Sequence, residues 1–230
     1  QGPGGNAMYL GDKIYNSGLV GIALSGNIEV DTIVAQGCRP IGEPMQITQC
    51  EQTLLKELEG KPPLKVLEEL HETLSDADKK LLQTSLFLGI EMDPMKDSPK
   101  QGDFLIRNLM GVDRESGGLG IGALLRNGQL VQFHLRDKQM SAEDLDVMLT
   151  RYLKLGNAEN AKGALLFSCL GRGKHLYGKA NHDTDMFHGK LGKIPLGGFF
   201  CNGEIGPVGN TTFLHGYTSS FGIFRSLARG

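Results

Sequence analysis

Apolar residues recur at every second position in several short runs of this chain and at helical spacing in a few others, and the two periods divide it into elements. From Leu19 to Ala35, LVGIALSGNIEVDTIVA reads as two β-rich runs joined at Ser25-Gly26-Asn27, where glycine and asparagine tolerate the left-handed turn of a tight hairpin. After the punctuated loop GCRPIGEP, the runs MQITQCE and TLLKELEG alternate as a strand pair. SLFLGIEM, DFLIRNLMG and QLVQFHLRD are further strands, separated by the turn-rich DPMKDSPKQG and DRESGGLGIGALLRNG. Within the second of these, GLGIG lacks the GxGxxG spacing of a dinucleotide loop and reads as a sheet connection.

The helical period appears after Lys61-Pro62-Pro63. Leu64, Leu67, Leu70 and Leu74 share one face with acids between them, and proline suits a helix start. Ser75 with Asp78 caps a second short helix by satisfying free amides. Ser141 is placed as the cap of AEDLDVMLTRYLKLG, which carries the stripe Leu145, Met148, Leu149 and Tyr152 and stops before Gly156. The remainder reads as a strand over 163–169, a helix near 183–191, a strand over 195–201 and a final pair around 211–224. Strands outnumber helices and often follow one another directly. That order predicts an α+β fold, with mixed and largely antiparallel sheet layered with a few helices.

Composition narrows the function classes. The chain has 230 residues, 40% of them hydrophobic, enough for a real core and for one large domain or two small ones. A formal charge of -2 leaves no basic excess for phosphate backbones, so nucleic acid is not an expected partner. No apolar stretch reaches the roughly 20 residues of a spanning helix, so a soluble chain with no membrane partner is expected. Cys38, Cys50, Cys169 and Cys201 lack CxxC pairing, and reduced intracellular thiols are the default. Gln1 and the loop-like QGPGGNAMYLGDK suggest that the start of a longer protein precedes this segment.

Candidate chemistry concentrates between Ala164 and Gly209. ALLFSCLGRG and PLGGFFCNGEIGPVG each lead an apolar run into a glycine-rich polar turn, as a strand exit beside a crowded pocket requires. The exits carry Cys169, Arg172, Cys201, Asn202 and Glu204. A guanidinium beside Cys169 can lower its thiol pKa, but a cysteine is equally a small buried hydrophobe, and Cys201 shares that ambiguity. His215, Asn202 and Glu204 are the types that a Cys-His hydrolase needs, though spacing alone proves no geometry. His182 and Asp185 can share a helical face as metal ligands, but capping by Asn181 or Asp183 is the simpler account, and no metal or cofactor is expected. Arg107, Asn108, His134 and Arg136 sit in or beside strands, on a solvated face or turned inward as paired groups. Turned inward, guanidinium, amide, carboxylate and imidazole together suit an amino-acid-like ligand, since arginine forks a carboxylate and acids or amides meet an ammonium.

GCRPIGEP, GDFLIRNLMGVD, VQFHLRD, ALLFSCLGRG, HDTDMF, PLGGFFCNGEIGPVG and FLHGYTSS, in this order, resemble the FIST domain family. The resemblance implies a C-terminal FIST domain over 37–225, preceded at 1–36 by the tail of the N-terminal FIST region. It further implies a non-enzymatic, cytoplasmic input domain of a signal-transduction protein that binds a small ligand such as an amino acid. In F-box proteins the related domain implies substrate recognition for a ubiquitin ligase instead. The matching ligand-binding candidates are Arg39, Arg107, Asn108, His134, Arg136, Cys169, Arg172, Asn202, Glu204 and His215. Asn210 replaces the family's usual glycine and can itself adopt the left-handed conformation. Three expectations therefore stand: a small-ligand sensor anchored by Arg172 or Arg107 with Glu204 or Asn202, a protein-interaction module, and a cysteine-dependent enzyme or redox sensor.

Overall fold

The computed structural model describes residues 5–156, 158–208 and 211–227; Asn210 lies outside them. A short hairpin comes first, β1 (Met8–Leu10) with β2 (Lys13–Tyr15). β3 (Glu29–Ala35) and β4 (Arg39–Glu51) follow, separated by Gln36-Gly37-Cys38. β4 then enters a closed six-stranded barrel with β5 (Leu54–Leu58), β6 (Leu86–Glu91), β7 (Phe104–Asp113), β8 (Gly118–Ile121) and β9 (Leu130–Leu135), in the order β4-β5-β8-β7-β6-β9. Every pairing in the barrel is antiparallel. Closure leaves no edge strand to protect. Ile47, Leu55, Leu58, Leu88, Leu119, Val131, Phe133 and Leu135 fill the interior, and α1 (Pro63–Thr73) packs on it through Leu67.

The second layer is a four-stranded sheet of order β11-β10-β14-β3, built from β10 (Ala161–Cys169), β11 (Leu196–Cys201), β14 (Ser219–Arg225) and β3. β10 and β11 run parallel, and the crossover they require is made by α4 (Lys174–Tyr177) and α5 (His182–Leu191). On one face Ile33, Ala35, Ala164, Phe221 and Ile223 pack against Leu145, Leu149 and Tyr152 of α3 (Lys138–Lys154) and Phe187 of α5. On the other lies the hairpin of β12 (Glu204–Val208) and β13 (Thr211–His215). α2 (Asp76–Leu82) and a 3-10 turn at Ala158–Asn160 complete the elements.

The α+β class, the strand content and the leading helix match the expectations, and Ser75 accepts from the Asp78 amide at 3.2 Å as its capping role requires. Six details differ. The expected loop GCRPIGEP ends at Cys38, since residues 39–44 already belong to β4 and Arg39, Pro40 and Ile41 pair with Leu135, His134 and Phe133 of β9. Leu19–Leu24 forms no strand: the run is exposed, and β3 pairs with β14 rather than folding back on it. A β-rich run without a neighbouring strand leaves its backbone groups without ladder partners. GLGIG is strand β8, paired with both β5 and β7, and alternation puts Leu119 and Ile121 in the barrel core. α3 starts a turn early, capped by Asp137, whose carboxylate accepts from the Met140 amide at 2.7 Å; Ser141 instead donates to the Gly37 carbonyl at 3.0 Å. β13 and β14 occupy different sheets, the partner of β13 being β12. Neither expected residue caps α5: Asn181 stands at the N-cap with φ 59° and makes no side-chain cap bond, and Asp183 turns inward.

The two glycines that open β11 are not equivalent. A Cβ on Gly198 would stand 1.9 Å from the Leu166 carbonyl oxygen, whereas one on Gly197 would make an ordinary 3.8 Å contact with Leu165. Gly198→Ala is therefore expected to cost about 3 kcal/mol through strain and a displaced β10–β11 ladder. Gly197→Ala should stay within about 1 kcal/mol of the parent in urea denaturation; equal losses would show that the close approach is not what constrains the site.

Candidate functional site

The exit of β10 delivers Arg172 into the interior, where its side chain has no solvent exposure. A buried guanidinium must be neutralised and hydrogen-bonded on every nitrogen, and this one is. Nε donates to Asp183 Oδ2 at 2.8 Å and Nη2 to Asp183 Oδ1 at 3.3 Å, a two-pronged pairing. Nη2 also reaches the Tyr177 hydroxyl at 2.5 Å, and Nη1 donates to the Tyr217 carbonyl at 3.3 Å. Asp183 completes its own shell with Ser219 Oγ and with His182 Nδ1 at 3.0 Å. Burial alone would raise the Asp183 pKa, but Arg172, Ser219 and His182 outweigh it and hold the carboxyl at about 2. The His182 ring stacks on Tyr177 at 3.5 Å between centroids, closing the cluster. Arg172, expected as the fork for a ligand carboxylate, is thus committed to an internal one.

Tyr217 joins this cluster to the barrel. It occupies the left-handed region at φ 66°, which presents its carbonyl to Arg172. Its hydroxyl donates to Asn108 Oδ1 of β7 at 2.5 Å, and its ring packs on Phe87 of β6 at 4.7 Å. The Arg136 guanidinium lies 5.1 Å over the same ring and donates from Nη2 to the Gly171 carbonyl at 3.3 Å, while its Nε is buried without a partner. Arg107 donates to the Leu214 carbonyl of β13 at 2.9 Å. Burial lowers the pKa of both arginines. Cys38 lies beside Arg136 and Arg172 in this layer, and burial outweighs both cations to push its thiol up to about 12.

Behind β10 and β11, Glu204 and His215 are register partners across the hairpin. Glu204 accepts from Thr218 Oγ1 at 2.7 Å and from Cys201 Sγ at 3.3 Å; burial and the carboxylate push the Cys201 thiol up to about 12. His215 Nε2 meets the Gly206 carbonyl at 3.1 Å, and burial lowers the ring's pKa. Cys169 is buried in register with Cys201, and Asn202 is exposed in the intervening turn.

The structure therefore gathers Arg107, Asn108, Arg136, Cys169, Arg172, Glu204 and His215 around the segment Leu214–Thr218. Arg39 lies apart, paired with Asp78 of α2. His134 is inside β9, its Nδ1 2.9 Å from the Gln132 carbonyl, with burial lowering its pKa to about 4. Sequence reasoning overlooked Tyr177 and Tyr217, although Tyr217 stands in the FLHGYTSS motif. It assigned Asp183 to capping because an acid in a first helical turn is usually a cap.

A cleft of about 400 Å³ opens in front of this layer, between β10, β11 and the first turn of α5. Leu166, Leu196 and Phe200 make its apolar wall; Ser168, Lys174, Asn181, His182, Asp183 and Thr184 bring the polar atoms. Ser168 is Ser219's register partner and lies on the same sheet face. Ser219 is bonded to Asp183, but the buried Ser168 hydroxyl has no partner.

Two family profiles match consecutive parts of the chain: the FIST N domain over residues 2–61 and the FIST C domain over residues 66–207. The chain belongs to the FIST family. FIST domains are signal-transduction sensor domains. An uncharacterized Mycobacterium tuberculosis protein, Rv0628c, is 40% identical over 224 residues, covering 96% of this chain and 57% of that protein. Mb0898c of Mycobacterium bovis, also uncharacterized, is 40% identical over 221 residues with the same coverage. The chain thus spans little more than half the length of these relatives. An Arabidopsis thaliana F-box/LRR-repeat protein is 25% identical over 142 residues, covering 55% of the chain and 27% of that protein. No described helix is long and apolar enough to cross a membrane.

The Arg172–Asp183 pair makes a stability prediction for this FIST domain. Asp183→Asn leaves the guanidinium buried without its counter-charge and is expected to cost about 3–5 kcal/mol in urea unfolding. The wild-type contribution of a depressed carboxyl is complete above its unfolded pKa and disappears as pH falls toward the folded value of about 2, so the variant's deficit should shrink on acidification through that window. A deficit below about 1 kcal/mol at neutral pH would contradict the pairing.

Proposed function

We propose that this domain is the small-ligand sensory module of a signal-transduction protein and that the cleft beside α5 receives a ligand of amino-acid size. The observation that carries this reading is the position of Asp183. It lines the cleft and also clamps Arg172, whose Nη1 bonds Tyr217 at the barrel. A ligand that shifts the first turn of α5 acts on a bonded chain of groups leading from the cleft through Arg172 to the turn before β14 and on to Asn108 of β7. A sensor needs such a link, because a bound ligand changes the rest of the molecule only through differential contacts. In this reading Arg172 is a positioning residue behind the cleft, and Glu204 and His215 brace the opposite side of the sheet. The volume suits a small molecule, and apolar walls with a few placed polar groups are usual for such sites.

A second reading, recognition of a protein partner, draws support from Phe199, Phe200, Ile205 and Leu214, which are exposed on β11 and the β12–β13 hairpin. Cysteine chemistry finds less support: the Cys201 thiol is bonded to a carboxylate and held in its protonated form.

The test is a thermal-shift screen of amino acids and related small metabolites. At a hundredfold excess over its Kd a ligand should raise Tm by about 5–10 °C. The gain should vanish in Thr184→Trp, which blocks the cleft, and persist in Thr184→Ser. No shift across the panel, or one indifferent to Thr184→Trp, would remove the cleft as the sensory site.

A further inference from the structure

The cleft's polar atoms are unbalanced in a way that specifies the charge of its occupant. Asp183 is the carboxylate among its lining residues, and it has no free lone pair to offer an ammonium group. Oδ1 accepts from Arg172 Nη2 and His182 Nδ1, and Oδ2 accepts from Arg172 Nε and Ser219 Oγ. The remaining groups favour an anion. Lys174 lines the rim, and α5, ten residues long, begins in the cleft at Asn181 with no side chain capping its first amides. Independently of the helix, Ser168 lines the same space with only 4% of the residue exposed, and its hydroxyl is buried on this sheet face without a protein partner. A buried hydroxyl is rarely left unbonded, so its position marks where a ligand atom belongs.

We propose that the occupant is a monocarboxylate with a short apolar tail and no recognised ammonium group. Its carboxylate accepts from Ser168 Oγ and from the first amides of α5, with Lys174 supplying the compensating charge. Its tail lies on Leu166, Leu196 and Phe200, with Gly197 and Gly198 keeping the β11 wall shallow. This rests on the cleft being the sensory site and goes beyond it by replacing the expected zwitterionic amino acid with its deaminated counterpart. In an apolar-walled cleft, an α-ammonium would lose hydration with only the neutral acceptors of Ser168, Asn181 and Thr184 to meet it and no free carboxylate to offset its charge.

Titration of the full chain with 3-phenylpropanoate against phenylalanine, and with 4-methylpentanoate against leucine, followed by amide chemical shifts, tests the assignment. The carboxylates are expected to bind about tenfold or more tightly than the paired amino acids, with shifts centred on Ser168, Asn181–Thr184 and Gly197–Phe200. Ser168→Ala should weaken carboxylate binding about tenfold. Because that change removes an unbonded hydroxyl, the variant should unfold at the same denaturant concentration as the parent. Lys174→Gln should also weaken carboxylate binding, and added salt should do the same. Amino acids that shift the cleft amides more strongly than the carboxylates would overturn this inference and leave the cleft reading standing. Neither series shifting those amides would overturn both, and carboxylate binding indifferent to Ser168→Ala would overturn the placement.

Discussion

The buried ion pair between Arg172 and Asp183 is the constraint on which the arrangement of this domain depends. Desolvating a guanidinium and a carboxylate is costly, and the structure offsets the cost by meeting every nitrogen of one and both oxygens of the other. Those bonds fix several segments at once. The glycine-rich exit of β10, the start of α5, the Tyr217 turn and the first residue of β14 must all converge on one point. Gly37 is drawn into the same knot: its amide donates to Asp144 Oδ2 at 2.8 Å, and a Cβ there would stand 2.9 Å from Arg172 Nη1. With φ 72° the position also favours glycine on backbone grounds.

Around that knot the two cores are conventional. The barrel is closed and apolar inside, and the sheet buries one face under α3 and α5. What distinguishes the domain is the polar layer where they meet, in which Arg136, Tyr217, Asn108 and Arg107 are linked by bonds to carbonyls, rings and amides. Such a layer is stable only as a whole, since each buried group relies on its neighbours for satisfaction. That interdependence means that a shift at α5 cannot be absorbed by one side chain alone, which is what the proposed sensory role would use.

The α+β class was readable in the order of strand and helix periods, and the glycine-rich exits marked the right region. Barrel closure was not, because pairing β4 with both β5 and β9 depends on contacts far apart in sequence that periodicity does not encode. Leu19–Leu24 misled for the same reason: it is a β-rich apolar run but finds no strand to pair with among the described residues. At the site, residue types were legible and their directions were not. Arg172 and Asp183 are eleven residues apart, and only the crossover through α4 and α5 turns them toward each other. Ser168 carries no signal at all in sequence, since an unbonded serine in a strand resembles any other small residue.

A double-mutant cycle on Arg172→Met and Asp183→Leu tests the central claim most directly. If the pair is the internal clamp described, each single variant leaves an unpaired buried charge, and the double variant should recover about 3 kcal/mol relative to the sum of the two losses. Losses that add to within about 0.5 kcal/mol would show that the two side chains do not depend on each other and would contradict the account.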